Sequence, residues 1–587
     1  MSKKKHKFTY YLKQLIPYIV RDKWLFLFGI FAMLVTSSLR LIDPLLIAHI
    51  IDKSVPDKNM AEMIRYGMYF VGVIAITGIL SYVQVLLLSK LGIKIITRFK
   101  FNIFRHLLKL PIAWFNEQPV GELIARVESD SERVRGLFSH LSITIIGNLV
   151  FFVGVVVVLL VRESKVTLYL IPIIIILAVS YYFLIRYISK FYRKIREMNA
   201  DITAKITDYV QGMPVVQTLN REDCIIDRLR VSSEKKKRFE IKTSFIEYSA
   251  SSSFLFVFNV GLVALIILIT SPKIIGGLVS IGTLFVFIQY ISRLIWPLLQ
   301  ISEDVMQVQR AFVSLGRILE LTEATSEDDL HRGSALPYFE EDIVFDHVWF
   351  AYKDEEWVLK DVSLTIPKGK RIALVGASGS GKTTTISLLC AFYPVTRGQI
   401  LVDGVPLTEI NLRLWREKIG LILQDIFLFP GNITENIRVY NDDIPAEKVR
   451  QAIGIVSLDD FIEKQERGLE TELAERGQNI SQGEKQLISF ARALAFEPEV
   501  IIMDEATASI DPQTEAKIQR SMNEVLSGKT AVIVAHRLTS VIDADQILLF
   551  RDGEIIDRGT HFELLGSSKD YRRFVELQLM PTENTSE

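Results

Sequence analysis

A glycine-rich stretch between residues 376 and 384 carries the residue types that bind phosphate. The spacing of Gly376 and Gly381, followed directly by Lys-Thr, matches the phosphate-binding loop pattern, with an apolar run before it and a helical pattern after it. Backbone N–H groups of such a loop close around phosphate oxygens, and the positive end of the helix dipole adds to the attraction. We therefore expect a nucleotide to contact Gly376, Ala377, Ser378, Gly379, Ser380, Gly381, Lys382, Thr383 and Thr384.

Four side chains are candidates for catalysis and metal binding. We expect Lys382 to reach the β- and γ-phosphates and the Thr383 hydroxyl to ligate Mg²⁺. An apolar, strand-like run at 500–503 ends in Asp504 and Glu505. Asp504 is expected to hold Mg²⁺ through water, and Glu505 to orient and polarise the attacking water. Many strands end in carboxylates, but this one follows a phosphate-binding loop, which predicts nucleotide hydrolysis.

The first half of the chain is apolar enough to span a membrane. Hydrophobic residues make up 49% of the 587 residues and the mean hydropathy is +0.27, which is high for a soluble protein. Apolar runs of transmembrane length predict six spans. The spans lie near 24–51, 64–92, 138–161, 166–189, 250–270 and 278–301.

The connections between the spans predict their orientation. Those near 93–137 and 190–249 are long and rich in lysine and arginine, and the N-terminus is basic as well. Such segments stay in the cytoplasm, so we expect both chain ends and the phosphate-binding loop on that side. The long connections keep helical periodicity, which predicts helices that extend beyond the bilayer.

Among the charged residues within the predicted spans are Arg40 and Asp43 in the first and Arg293 in the sixth. A charged side chain facing lipid costs about 2.5–3.5 kcal/mol at mid-bilayer. We therefore expect these residues to lie near a membrane surface, to pair together, or to face a water-filled cavity.

Composition and cysteine spacing narrow the function classes. The formal net charge of zero provides no basic field, so nucleic acid is not an expected partner. Cys224 and Cys390 match no metal-binding or disulfide pattern. The basic N-terminus is not followed by a short apolar stretch with a small-residue cleavage site, so no cleaved signal peptide is expected.

A polar stretch separates the apolar half from a second half in which strand-like and helical segments alternate. The predicted fold is an α-helical six-span transmembrane domain followed by an α/β P-loop nucleotide-binding domain. The predicted limits are 1–320 for the first domain, 321–342 for a linker, 343–580 for the second domain and 581–587 for a polar tail.

Further motifs make residues from about 343 to 579 resemble an ATP-binding-cassette protein. Tyr352 matches the aromatic residue that stacks on adenine, and His536 matches the switch histidine that contacts the γ-phosphate during catalysis. Gln424 matches the catalytic glutamine that joins Mg²⁺ to the membrane-domain contact. Residues 480–486 match the family signature, and residues 475–477 match the segment before it. Residues 509–511 match a loop that crosses to the opposite subunit. The resemblance implies ATP and Mg²⁺ as ligands.

The signature departs from the family's usual Leu-Ser-Gly-Gly-Gln and reads Ile-Ser-Gln-Gly-Glu at 480–484. In this family two cassettes meet head to tail, which implies that Ser481 and the backbone of Gly483 donate to the γ-phosphate of ATP held by the partner. A positive φ at Gln482 would be strained, and the charge of Glu484 would repel an anion. The altered signature beside an intact Glu505 resembles one subunit of bacterial heterodimeric, multidrug-resistance-like exporters; a homodimer stays open.

Six spans before one cassette resemble the half-size exporters of this superfamily. The implied partners are a membrane, a second half-transporter and a hydrophobic small-molecule or lipid substrate, and the implied location is a bacterial plasma (inner) membrane. Short helices that couple cassette and membrane domain are expected near 114–122 and 211–222. Drug export competes with lipid flipping and peptide export. The six spans argue against a non-transport ATPase, and Glu505 with His536 favours hydrolysis over an ATP-regulated channel or receptor.

Overall fold

The computed structural model describes residues 8–141, 145–330, 333–353, 355–504, 512–535 and 538–579. Contacts divide the chain into two compact units. The first contains Met1–Leu108 and Val120–Ala324, and the second contains Lys109–Pro119 and Thr325–Glu587. The described part of the first unit is helical, and that of the second mixes strands with helices.

The helices of the first half, of which α5 and α14 belong to the second unit, are α1 (Phe8–Arg21), α2 (Lys23–Leu39), α3 (Asp43–His49), α4 (Met60–Leu107), α5 (Ile112–Asn116), α6 (Val120–Ala125), α7 (Ser131–Leu141), α8 (Gly147–Arg162), α9 (Ser164–Gln211), α10 (Met213–Thr218), α11 (Glu222–Phe256), α12 (Leu262–Ile275), α13 (Ile281–Thr322) and α14 (Glu327–Leu330). Short π-helical turns at Ile50–Ser54, Arg126–Asp130 and Val257–Gly261 continue helices into their neighbours.

Apolar helices coincide with all six predicted spans. Among the described residues, those long and apolar enough to cross a membrane are Lys23–Ser54, Met60–Leu107, Ser164–Gln211 and Glu222–Ile275, and shorter apolar helices are Gly147–Arg162 and Ile281–Pro297. Within the third predicted span, α7 reaches Leu141, residues 145 and 146 are π-helical, and α8 follows from Gly147. Residues 142–144 lie outside the described part of the chain.

The long helices extend well past the thickness of a bilayer. α4 and α9 each contain 48 residues. At about 1.5 Å per residue each is about 72 Å long, against about 30 Å for the hydrocarbon core of a membrane. The connections near 93–137 and 190–249 are therefore largely helical, as predicted.

The first and sixth spans are joined by polar contacts. Arg293 of α13 donates to both carboxylate oxygens of Asp43 at 2.9 and 2.6 Å, which is one of the arrangements expected for these charges. Asp52 accepts from the Gly282 backbone and the Ser280 hydroxyl, both at 2.6 Å. A Cβ at Gly282 would lie 2.4 Å from Asp52 Oδ2, so this close approach requires glycine.

A buried carboxylate outside the spans ties α13 to the long connection before the third span. Asp130, 3% exposed, accepts from Arg317 at 2.8 and 2.6 Å, from the Ser314 hydroxyl at 2.9 Å and from Arg133 at 2.7 Å. Burial alone would raise the pKa of Asp130, but these hydrogen bonds and the two guanidinium charges outweigh it and hold the pKa below its ordinary value. The carboxylate is thus charged and fully paired.

The second unit holds two main sheets. Its strands are β1 (Asp342–Ala351), β2 (Trp357–Pro367), β3 (Arg371–Gly376), β4 (Arg397–Val402), β5 (Val405–Pro406), β6 (Ile419–Ile422), β7 (Gly431–Asn432), β8 (Glu472–Leu473), β9 (Val500–Asp504), β10 (Thr530–Val534), β11 (Gln546–Arg551) and β12 (Glu554–Gly559). Its further helices are α15 (Lys382–Leu389), α16 (Leu412–Glu417), α17 (Ile433–Arg438), α18 (Ala446–Ile455), α19 (Asp459–Glu463), α20 (Gln482–Ala495), α21 (Pro512–Leu526), α22 (Thr539–Ile542), α23 (His561–Ser567) and α24 (Lys569–Leu579).

The larger sheet has the order β12-β11-β3-β10-β9-β6, and the smaller, antiparallel sheet has the order β2-β1-β4-β5. Strands β11, β3, β10, β9 and β6 run parallel. Alternate residues of β3 belong to two different apolar clusters. Ala373 and Val375 pack in one cluster, and Ile372 and Leu374 pack in the other. The central strands are therefore apolar on both faces, as buried parallel strands require.

The main part of the second unit starts at Thr325, within the predicted linker at 321–342. α13 continues to Thr322, and α14 is held within the second unit. Arg416 donates to both carboxylate oxygens of Glu327 at 2.7 and 2.8 Å, and the Glu327 N–H donates to the Lys109 carbonyl at 2.8 Å. Polar composition indicated a connection but did not reveal these partners, which lie far away in sequence.

Candidate nucleotide-binding site

The predicted site residues follow the carboxyl ends of neighbouring parallel strands. β3 leads into the phosphate-binding loop at Gly376, β9 ends at Asp504, and β6 ends two residues before Gln424. Because carboxyl ends of parallel strands meet at one edge of a sheet, the topology gathers these residues there. The pairing of Ile422 with Met503 places Gln424 beside Asp504.

Backbone shape explains the glycines of the loop. Gly376 has a φ of +151°, and a Cβ there would lie 2.2 Å from the Phe550 carbonyl oxygen. Gly381, immediately before α15, has a φ of +106°, and a Cβ there would lie 2.5 Å from Leu359 Cδ2. Both positions therefore exclude larger residues. Ala377, Ser378 and Gly379 between them are exposed, which leaves that part of the loop open to a ligand.

The Lys382 side chain is buried within the loop. It is 4% exposed, and its ammonium group donates to the carbonyls of Gly376 and Ala377, both at 2.8 Å. Burial lowers the pKa of Lys382, while the Asp504 carboxylate acts in the opposite direction. A cation held in a desolvated pocket attracts an anionic phosphate more strongly than a cation in water does.

Asp504 and Thr383 form a pair suited to Mg²⁺. The Thr383 hydroxyl donates to Asp504 Oδ2 at 3.2 Å, whereas Asp504 Oδ1 is buried without a hydrogen-bond partner among the described residues. An orphaned buried carboxylate oxygen beside a hydroxyl fits a hard cation that prefers oxygen ligands. The described residues contain no cluster of three or more acidic, histidine or cysteine side chains.

Gln424 and Asp504 line one small cavity together with Gln482 and Gln486 of α20. Gln424 itself is exposed. The structure thus brings together the predicted metal-binding side chains Thr383, Gln424 and Asp504 at one edge, and it adds the start of α20 to their surroundings.

Tyr352 lies directly after β1 and next to the phosphate loop. Its hydroxyl is 3.1 Å from the Thr384 hydroxyl, and its ring makes edge contacts with Phe350 and Tyr393 at centroid distances of 4.8 and 5.1 Å. The side chain is 47% exposed. Packing therefore fixes the ring while leaving part of it free to stack on a base.

The signature forms the start of α20. The Ser481 hydroxyl accepts from the Glu484 N–H at 3.3 Å, and the Glu484 carboxylate accepts from the Ser481 N–H at 2.7 Å, which is a capping box. Gln482 is the first residue of the helix and has no positive φ, so the strain considered from the sequence does not arise. Ser481 is exposed and Gly483 buried, and neither is hydrogen-bonded to the phosphate loop among the described residues.

Two predicted catalytic residues, Glu505 and His536, lie outside the described residues, as does the 509–511 segment. The strands that precede them are described. β9 ends at Asp504, and β10 ends at Val534 between β3 and β9.

Comparison with known proteins identifies the family. Residues 26–298 match the model of the ABC transporter transmembrane region, and residues 359–508 match the ABC transporter model. The chain is 34% identical to the probable multidrug resistance ABC transporter ATP-binding/permease protein YheH of Bacillus subtilis, over 86% of this chain and 76% of that protein. The chain belongs to the ABC transporter family. It is also 28% identical to an ATP-dependent lipid A-core flippase of Desulfotalea psychrophila, over 97% and 99% of the two chains, and 27% identical to the multidrug resistance-like protein MdlB of Buchnera aphidicola, over 97% and 98%.

The two matches make this ABC transporter a half-transporter, because a transmembrane region and an ATP-binding domain lie in the same chain. Membership of the family implies that the chain is embedded in a membrane, acts as a dimer and hydrolyses ATP. The predicted fold and the predicted ATPase class are therefore confirmed.

Sequence reasoning missed Arg492, which connects α20 to α17 and to the segment before α17 in this ABC transporter. Its side chain, on α20, donates to the carbonyls of Asn436 at 2.9 Å and Phe427 at 3.1 Å. Burial lowers the pKa of Arg492. The available signal was a single charged residue in the run at 487–495, whose other residues are apolar except for Ser489.

A second missed contact joins α5 to the nucleotide-site region within the second unit. The Asn116 amide donates to the Tyr393 hydroxyl at 2.5 Å, and the Tyr393 ring packs against Tyr352. α5 overlaps the start of the predicted coupling segment at 114–122, and α10 lies within the one at 211–222.

Proposed function

We propose that this half-transporter uses ATP binding and hydrolysis to move hydrophobic compounds, drugs or lipids, out of the cytoplasm or the inner leaflet. The observation that carries the proposal is the Thr383–Asp504 pair, with its orphaned buried oxygen, beside the buried Lys382. Such a site serves phosphoryl transfer, which needs positioning and electrostatic stabilisation rather than covalent chemistry from the protein. The names of a multidrug relative and a lipid A-core flippase support the two substrate classes.

In this proposal the roles are divided along the sheet edge. Tyr352 stacks on adenine, the 376–384 loop binds the phosphates, and Lys382 neutralises the β- and γ-phosphates. Bound Mg²⁺ supplies further charge neutralisation, and the residues that would hold it are Thr383, Gln424 and Asp504. Glu505 orients the attacking water, and His536 contacts the γ-phosphate. Ser481 and Gly483 complete the ATP site of the partner subunit.

Movement passes from the ATP-binding domains to the membrane helices through the coupling segments near 114–122 and 211–222, which include part of α5 and the whole of α10. ATP binding closes two cassettes, closure opens the membrane domain outward, and hydrolysis resets it. The proposed domain limits are those predicted from the sequence, with α5 acting alongside the second unit. The proposed location is a bacterial plasma (inner) membrane with both chain ends and the ATP site in the cytoplasm, consistent with the basic long connections.

We propose a heterodimer in which this chain supplies Glu505 to the competent ATP site and its altered signature to the degenerate one. A homodimer is the second possibility. The charge of Glu484, where a neutral amide is usual in the family, favours the heterodimer because it would weaken one ATP site.

The test is ATPase activity in lipid, measured for the chain alone and together with a half-transporter encoded beside it. We expect magnesium-dependent turnover only with the partner, and loss of that turnover in Glu505→Gln. Robust turnover by the chain alone would overturn the heterodimer. ATP binding without hydrolysis in any combination would overturn the exporter and favour an ATP-regulated channel or receptor. Transport of labelled drug, lipid or peptide by the active complex separates the substrate classes.

A further inference from the structure

The first membrane span is interrupted at residues 40–42. α2 ends at Leu39, and α3 begins at Asp43 with Pro44 in its first turn. Proline has no N–H to donate, so Pro44 cannot form the helical hydrogen bond to the Arg40 carbonyl, which accounts for the break. α2 contains 17 residues and is about 25 Å long, which is shorter than a hydrocarbon core of about 30 Å, so a span that enters the membrane at the start of α2 reaches the break before it has crossed the core.

The sixth span satisfies the polar groups that the break exposes. Arg293 of α13 donates to the Arg40 carbonyl at 3.2 Å, and the Tyr290 hydroxyl donates to the Leu41 carbonyl. Arg293 also forms the two-pronged pair with Asp43. The charge of Arg293 is therefore neutralised within the protein.

The charge of Arg40 is not neutralised in this way. Among the described residues, its guanidinium group has no ion-pair partner, although its backbone is engaged. It lines an open cavity of about 340 Å³ whose lining contains no acidic side chain. The other lining residues are Asn148, Phe151, Arg293, Trp296, Pro297 and Gln300.

We propose that this cavity binds the anionic headgroup of an amphiphilic substrate, that is, a phosphate, sulfonate or carboxylate attached to an apolar body. The inference rests on the proposed export function and narrows its substrate class. The guanidinium of Arg40 offers a fork of donors to such an oxyanion, and the amides of Asn148 and Gln300 offer neutral donors. Phe151 and Trp296 offer an aromatic wall to the apolar body. An unpaired cation within a membrane span is unfavourable, and an anionic ligand would reduce that cost while a cationic drug would add to it.

Trp296 provides a readout that does not depend on ATP hydrolysis, because it lines the cavity and is 75% exposed. The complex with its partner half is placed in nanodiscs without nucleotide, and quenching of tryptophan fluorescence by brominated probes is measured. One arm compares brominated phosphatidylglycerol with brominated phosphatidylcholine, and the other compares dibromostearate with its methyl ester. The first arm reports a lipid headgroup and the second a free organic anion. Trp296→Phe identifies the part of the signal that comes from the cavity.

We expect the anionic probe of at least one arm to bind more tightly than its uncharged or zwitterionic counterpart. Arg40→Gln should weaken that binding about tenfold, since a hydrogen-bonded charge is lost. Arg40→Lys should retain most of it. Arg186→Gln is the matched control, because Arg186 is also an exposed arginine of a predicted span but does not line the cavity.

Equal affinity for anionic and neutral probes in both arms, or unchanged anion binding in Arg40→Gln, would overturn the inference. If Arg40→Gln lowers the melting temperature, Gln300→Leu provides a second test, with weaker anion binding again expected. Anion binding in a complex that fails to hydrolyse ATP would overturn the exporter and leave the site standing. Hydrolysis without an anion preference would overturn the site alone.

Discussion

One carboxylate oxygen of Asp504 accepts a hydrogen bond from the Thr383 hydroxyl at 3.2 Å. The other oxygen is buried and has no hydrogen-bond partner among the described residues. A buried carboxylate oxygen without a partner is costly. The arrangement is stable only with a further charge or donor close by, which Lys382 supplies in part from within the loop. The geometry of the pair therefore fits the proposed Mg²⁺ site.

Asp504→Asn should raise the Mg²⁺ concentration for half-maximal ATPase activity by about 10–100-fold, because the amide keeps the shape and loses the charge that orients the metal shell. The measurement is a Mg²⁺ titration of turnover at saturating ATP. Asp442→Asn, an exposed acidic residue of the same unit, is the control and should leave the curve unchanged. An unshifted curve for Asp504→Asn would remove Asp504 from the proposed metal site.

Glu484→Gln should preserve the signature helix and raise turnover of the complex. Glutamine at the third helical position still completes a capping box, so the melting temperature should stay the same. Removal of the charge should raise turnover by about two- to fivefold, if its repulsion of ATP amounts to less than 1 kcal/mol. Glu484→Ala separates the two effects, because it also loses the cap and should lower the stability by about 1 kcal/mol. Unchanged turnover in Glu484→Gln would show that another signature position weakens the site.

Asp130→Asn should destabilise the first unit by about 1–3 kcal/mol at neutral pH, because hydrogen bonds to a charged group are lost. The partly exposed Arg317 and Arg133 retain access to water, which limits the cost. Thermal unfolding in detergent, followed by the intrinsic fluorescence of the chain, measures the difference.

The same carboxylate predicts a pH dependence. The folded pKa of Asp130 lies below the ordinary value of about 3.9. Its stabilisation is therefore complete above that value and disappears as the pH falls through the folded pKa. The difference between the wild-type chain and Asp130→Asn should stay constant from pH 7 to about 5 and shrink below about 4. A difference that shrinks near neutral pH would contradict this account.

Tyr393→Phe should weaken coupling without weakening ATP binding. The change removes the hydroxyl that accepts from Asn116 and keeps the ring packed against Tyr352. We expect unchanged ATP affinity and a severalfold smaller stimulation of ATPase activity by transported substrate, with Asn116→Ala giving the same result. Tyr440→Phe, which loses a hydroxyl bonded to the Pro430 carbonyl, is the matched control. Lower ATP affinity in Tyr393→Phe would place its role in nucleotide binding instead.

The parts of this protein that the sequence predicts well are those whose information is local. The phosphate loop is one contiguous stretch in which spacing, glycine content and the flanking strand and helix agree, and its geometry follows. Hydropathy and helical periodicity likewise predict the helices that are longer than the bilayer is thick.

What the sequence did not predict depends on distant partners. Asp130 is paired with residues 184 and 187 positions later, and Glu327 with one 89 positions later. A charged residue gives no local sign of which distant guanidinium will neutralise it. The backbone geometry of Gln482 was also not predictable from its residue type, because it depends on the capping box formed by Ser481 and Glu484.

The membership of Lys109–Pro119 in the second unit has a mechanical consequence. The backbone passes from one unit to the other after Leu108, again after Pro119 and again after Ala324. Any rotation of the second unit must be accommodated by backbone torsions at all three crossings, because the two units are connected by three segments of backbone rather than by one linker. A fragment that begins at Thr325 would lack α5. Tyr393 would then lose its hydrogen bond to Asn116, and Glu327 would lose its hydrogen bond to the Lys109 carbonyl.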